Sequence, residues 1–239
     1  HAPYTDRMRQ KGLSTEHGGV IPDAFTAQAF ITTDLDDNQI TAFHPGAMSS
    51  SHQNHIVDAK DVSLGIVAPD GRDGMIQHAK EFHEAGIPFV FDPGQGLPMF
   101  DREELLTFIK LAQYAAMNAY EAKMLEEKTG QTISEISGQL SALIVTRGGE
   151  GSTIYTDEKI LEIPTVTAKE VVDPTGCGDS YRSGLLYGIQ AGLDWETTGR
   201  LASLLGAIKI ASQGPQNHQF DRAYVEGAFK ESFDRALEW

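Results

Sequence analysis

The stretch Val171-Val172-Asp173-Pro174-Thr175-Gly176-Cys177-Gly178-Asp179-Ser180 joins an apolar run to a helical pattern carrying Leu185, Leu186 and Ile189, which stops at Gly192. Read as strand, glycine turn and helix start, it lets the backbone turn tightly. Bare N–H groups are then left at a helix N-terminus, where the helix dipole favours an anion. Asp179 falls in the first helical turn, beside that anion position, where a carboxylate can take a proton from an attacking alcohol. The competing reading is a capped helix start in which Asp179 only satisfies backbone amides.

The same order of apolar run, polar or glycine turn and helix recurs upstream. The run 63–68 ends at Pro69, and the stretch 74–85 carries Met75, Ile76, Ala79 and Phe82 at helical spacing before Gly86. The run 87–91 ends at Asp92-Pro93, and a helix follows Asp101. A short strand over 114–117 ends at Asn118 before the helix containing Glu121, and 143–145 ends at Thr146-Arg147-Gly148-Gly149. This alternation predicts an α/β fold, a doubly wound and mostly parallel sheet flanked by helices, with its ligands beyond the carboxyl ends of the strands. Before residue 50 the pattern differs: 26–32 and 39–43 read as two strands joined by a turn at Asp34, Asp36, Asp37 and Asn38. The expected division is therefore an α/β domain over 1–23 and 46–239, with a small β-hairpin over 24–45.

A chain of 239 residues can bury one substantial core. The formal net charge of −15 opposes binding to phosphate polymers and anionic lipid, so neither nucleic acid nor membrane is an expected partner. One cysteine excludes an internal disulfide, and no apolar run is long enough to span a bilayer, which makes a reducing, cytoplasmic setting the default. Neither a Walker A sequence nor the protein-kinase motif set occurs, and no dinucleotide-type Gly-x-Gly-x-x-Gly follows a strand. Asp34, Asp36 and Asn38 imitate the start of a calcium loop, but Gln39 and Pro45 stand where its Gly and Glu belong. His52 and His55 lack further ligands at metal spacing and read as loop or helix-start residues.

Asp173-Pro174-Thr175-Gly176-Cys177-Gly178-Asp179, followed by Ser-Tyr-Arg-Ser-Gly, resembles the C-terminal signature of the ribokinase or PfkB kinases. The resemblance implies an anion hole at Gly176, Cys177 and Gly178 with Asp179 as catalytic base, Cys177 being a small packed residue rather than a thiol nucleophile. Asn118-Ala119-Tyr120-Glu121 resembles the family's Asn-x-x-Glu element, implying Asn118 near the ATP phosphates and Glu121 near Mg²⁺ through water, although the same pattern also describes an ordinary helix cap. Thr146-Arg147-Gly148-Gly149-Glu150-Gly151 resembles the Thr-x-Gly-x-x-Gly loop, implying ATP contacts at Thr146, Gly148 and Gly151; a plain hairpin turn is the alternative. By position, Ala207, Ala211 and Gly214 fall in the segment that encloses adenine, and Asp173 and Thr175 where many members hold a monovalent cation such as K⁺.

The resemblance implies that the hairpin is a lid over the acceptor and that it pairs between subunits in a homodimer. Its sequence is most similar to the bacterial nucleoside or adenosine kinase branch, with Gln28, Phe30 and Phe43 as candidate substrate contacts; packing on the core or on a second subunit is the alternative for each. The expected reaction is transfer from ATP to a nucleoside 5′-hydroxyl. A sugar or sugar-phosphate kinase is the alternative within the family, and a non-catalytic nucleotide-binding module the alternative outside it. The family's first strands, with their Gly-Gly hinge and acidic hydroxyl-binding residue, have no counterpart here, so the complete protein is expected to begin earlier.

Overall fold

The computed structural model describes residues 2–33 and 39–238. After helix α1 (Ala2–Gln10), strands β1 (Gln28–Thr33) and β2 (Gln39–His44) pair antiparallel as a separate two-stranded sheet. The expected hairpin is therefore present, and its turn residues Asp34, Asp36, Asp37 and Asn38 lie outside the described residues.

The main sheet begins with β3 (Gly65–Val67), α2 (Arg72–Glu84), β4 (Phe89–Phe91), α3 (Arg102–Leu111) and β5 (Tyr114–Asn118). It continues with α4 (Ala119–Thr129), α5 (Ile133–Ser137), β6 (Ala142–Thr146), β7 (Ser152–Thr156) and β8 (Ile160–Ile163), and the chain then forms α6 (Cys177–Ala191), α7 (Trp195–Ile210) and α8 (Arg222–Phe233). The six strands lie in sequence order; β3 to β6 run parallel, and β7 and β8 join by antiparallel pairing. Alternating side chains supply two cores because both faces of a parallel sheet are covered. Phe89, Phe91, Met117, Leu143 and Val145 pack with Met75, Phe108 and Leu125 of α2, α3 and α4. Val90, Ala116, Ile144 and Ile154 pack on the opposite face with Tyr181, Leu185 and Ala202 of α6 and α7.

One expectation is corrected. Val171-Val172 is not a strand: the sheet ends at β8 and Val171 is 78% exposed. The segment is held instead by the end of α7, where Ile210 O accepts from the amides of Val172 at 2.9 Å and Asp173 at 3.1 Å. The glycine turn is thus hung from a helix C-terminus.

That arrangement depends on close contact between α6 and α7. A Cβ at Gly184 would lie 2.7 Å from Ala202 Cα, and one at Gly188 would lie 2.5 Å from Thr198 Oγ1. At Gly184 the obstacle is backbone, which a rotamer change cannot remove. Gly184→Ala is expected to cost about 1–3 kcal/mol through overpacking, seen as a lower urea midpoint with unchanged slope.

Candidate active site

The ends of β4 and β5 and the start of α6 gather three carboxylates around one guanidinium. Asp92 follows β4 and is 4% exposed. Arg182 Nη2 donates to its Oδ1 at 2.7 Å while Nε pairs with Oδ2. Burial pushes the Asp92 carboxyl above its ordinary range; Arg182 opposes the rise and Asp179 adds to it. Burial likewise raises Glu121, opposed by the Asn118 amide and by Arg182. Desolvation pulls the Arg182 guanidinium down, but Asp92, Glu121 and Asp179 outweigh it and hold it protonated.

Asp179 is exposed and makes no hydrogen bond with the described residues, so it does not cap its helix. The cap residue is Gly176, at φ 83°, where an added Cβ would meet Pro215 Cβ at 2.9 Å. A left-handed residue in so narrow a space has to be glycine. Of the amides in the expected anion hole, that of Cys177 is already engaged, donating to Pro174 O at 3.1 Å. Those of Gly176, Gly178 and Asp179 have no acceptor among the described residues. The open donors thus lie partly beyond the segment 176–178 expected from the sequence, and they include Asp179's own N–H. Burial pushes the half-buried Cys177 thiol up, which disfavours the thiolate a nucleophile requires.

Asn118 and Glu121 form a reciprocal cap on α4: Asn118 Oδ1 accepts from the Glu121 amide, and Glu121 Oε2 from the Asn118 amide, both at 2.8 Å. The cap reading of this motif is therefore realised, and it fixes Glu121 where it interacts with Arg182 and Asp92. Thr146 is the register partner of Asn118, so the loop 147–151 begins beside the cap. This loop connects the antiparallel β6 and β7, as the hairpin reading expected. Gly151, at φ 87°, would place a Cβ 2.2 Å from Ile163 O, whereas Cβ atoms at Gly148 and Gly149 would meet nothing within 4 Å. The tip therefore presents uncovered backbone.

Ala207 and Ala211 line a cleft of about 420 Å³ with Thr165, Val166, Lys169 and Tyr224. Gly214 stands apart from it, its amide donating to Asp173 Oδ2 at 2.7 Å. Asp173 Oδ1 accepts from the Thr175 amide at 2.8 Å, and these contacts hold the Asp173 carboxyl down at about 2, the Thr175 backbone bond contributing most. Asp173 and Thr175 do come together, but through a turn hydrogen bond.

The hairpin residues divide between two faces. Opposed residues of an antiparallel pair share a face, so Gln28 and Phe30 lie with His44 and Ala42, while Phe43 lies opposite Ala29 on the other side. Gln28, Phe30 and Phe43 therefore cannot form one contact surface on a single ribbon face. Phe30 and Phe43 are both exposed. His55 pairs with Glu81 at 2.7 Å, and no cluster of three metal-ligating side chains occurs among the described residues.

Asp92 and Arg182 were not singled out from the sequence. The available signals were an acid directly after an apolar strand and a basic residue three positions beyond Asp179.

Residues 2–221 match the model of the pfkB family carbohydrate kinases. The chain belongs to that family. This pfkB chain is 56% identical to a Burkholderia thailandensis nucleoside kinase solved in complex with inosine, at a TM-score of 0.95 over 98% of this chain and 77% of that one. A second structure of the Burkholderia protein is a complex with ADP-inosine. A nucleoside kinase from Methanocaldococcus jannaschii is 34% identical over 194 residues, or 81% of this chain; the chain spans 63% of that relative's length. A ribokinase from Thermotoga maritima, at 19% identity and a TM-score of 0.75, shares the fold. No helix among the described residues is long and apolar enough to cross a membrane.

Proposed function

We propose that the protein is an ATP-dependent nucleoside kinase that phosphorylates a ribosyl 5′-hydroxyl. The observation that carries this reading is the exposed carboxylate of Asp179, which does not cap its helix, beside amides that have no acceptor among the described residues. Similarity to a nucleoside kinase solved with inosine and with ADP-inosine supports the acceptor class and the donor. In the reaction, the acceptor oxygen bonds to the γ-phosphorus as the bond to the ADP oxygen breaks, and the hydroxyl proton passes to Asp179. The amides of Gly176, Gly178 and Asp179 donate to the transferring phosphoryl oxygens, where charge is spread. Cys177 supplies packing at this turn. The loop carrying Thr146, Gly148 and Gly151 borders the nucleotide with Asn118, and Ala207, Ala211 and Gly214 flank its base.

Mg²⁺ fits this donor set as an ion carried mainly by ATP and water, since it keeps much of its hydration shell and needs one or two protein oxygens nearby. Glu121 would hold it through water, and bound there it would neutralise phosphate charge. The hairpin within 24–45 closes over the acceptor as a lid, excluding the water that competes for the phosphoryl group. Because its two faces carry different side chains, Gln28 with Phe30 and Phe43 serve different surfaces, one toward acceptor and one toward a second subunit.

An acceptor panel tests the reading. ADP release from Mg·ATP is measured with inosine, adenosine, cytidine, ribose, fructose and fructose 6-phosphate. A kcat/KM for at least one nucleoside well above those for all three sugars is the expected result. Preference for ribose or a sugar phosphate would move the protein to another branch of the family, and saturable nucleoside binding without turnover would make it a binding module.

A further inference from the structure

Lys209, on the last turn of α7, is 0% exposed. No carboxylate lies within 4.0 Å of its ammonium among the described residues. An enclosed cation is expensive unless oxygen dipoles replace its water. Here they do: Nζ donates to Asp173 O at 2.7 Å and to Ser212 O at 3.2 Å, at a helix C-terminus whose dipole favours positive charge.

The two carbonyls belong to different segments. Asp173 opens the glycine loop that ends on Asp179, and Ser212 begins the turn leading through Gly214 to Pro215, against which Gly176 packs. Asp173 completes the clamp with its side chain, Oδ1 taking the Thr175 amide and Oδ2 taking Gly214 N at 2.7 Å and Gln213 Nε2 at 3.0 Å. A single compact positive charge thus draws together oxygens from two loops. A monovalent metal ion does the same by coordination, and a lysine ammonium is a comparable point charge with flexible reach.

We propose that Lys209 is a built-in cation that holds the 173–179 loop in the shape its free amides require, so that the reaction proceeds without a monovalent metal ion. The oxygens of Asp173 that the sequence offered for K⁺ are occupied by protein donors, and Thr175 contributes its amide to that clamp. Lys209 is a positioning residue; it acts through Asp173 and the loop.

The activity arm of the test rests on the kinase reading, and a thermal arm does not. With the full chain, exchanging potassium chloride for choline chloride at equal ionic strength leaves both turnover and melting temperature of the wild type unchanged. Lys209→Met keeps the stem's volume without its charge and is expected to lose on the order of a hundredfold in kcat, with a smaller change in nucleoside KM. Lys209→Ala opens the position, so potassium or methylammonium chloride should raise its melting temperature relative to choline and restore part of its turnover. A wild type that requires K⁺ or melts higher in it, or a Lys209→Met enzyme with normal turnover, overturns the proposal. If Lys209→Ala does not fold, Lys209→Met and the wild-type salt comparison decide. A wild type that turns over no acceptor refutes the kinase reading, and the thermal comparison still tests the built-in cation.

Discussion

Asp179→Asn is expected to lower kcat by about 10²- to 10⁴-fold, the range a positioned general base contributes, while leaving the affinity for ADP close to wild type. The carboxylate is exposed and makes no hydrogen bond with the described residues, so the substitution breaks none. Asparagine keeps the size and the backbone amide, and removes the charge and with it the capacity to accept the hydroxyl proton. Steady-state kinetics with the best nucleoside, together with calorimetric titration of ADP, separates the two effects. Turnover within a few-fold of wild type would refute the assignment of the base.

The same variant should fold about as well as the wild type. Asp179 raises the titration of buried Asp92, which means the two carboxylates repel each other in the folded chain. Removing one charge relieves that repulsion and gives up an attraction to Arg182, so the two effects oppose and the urea midpoint of Asp179→Asn should stay close to the wild-type value. Loss of turnover without loss of stability is what distinguishes a chemical group from a supporting one at this position.

Much of the frame was legible because both of its periodicities are strong. Phe89-Val90-Phe91 and Leu143-Ile144-Val145 are continuous apolar runs, as strands buried on both faces must be, and each ends at a polar turn. The glycine turn before Asp179 was legible because its left-handed cap admits glycine alone. Legibility failed where a partner distant in sequence decides. Val171-Val172 has strand composition, but its backbone is held by Ile210 O at the end of α7, and nothing local to residues 171 and 172 records that. The opposite faces of Phe30 and Phe43 follow from a register that only the pairing of β1 with β2 reveals. Lys209 was not singled out from the sequence, because its burial depends on two carbonyls, one of them 36 positions away. Arg182 was quoted within the signature, yet its partner Asp92 lies 90 positions upstream.

That pair carries the second large effect. Arg182→Met leaves the Asp92 carboxylate enclosed without a counter-charge, and breaking a buried ion pair from one side costs about 3–5 kcal/mol. The loss should depend on pH. Asp92 titrates above its ordinary value in the folded chain, so its charge disfavours folding once pH rises through the carboxylate range, and the penalty is complete above the folded pKa. Arg182 is the attraction that limits this rise, and without it the folded pKa climbs further. The deficit relative to wild type is therefore largest at neutral pH and shrinks as acidification protonates Asp92 in the folded variant. Urea unfolding at neutral and at mildly acidic pH measures the difference directly. The double variant Asp92→Asn with Arg182→Met should recover much of the loss at neutral pH, since it no longer buries a lone charge. Equal deficits at both pH values, with no recovery in the double variant, would trace the cost to the packing of the Arg182 stem against its neighbours.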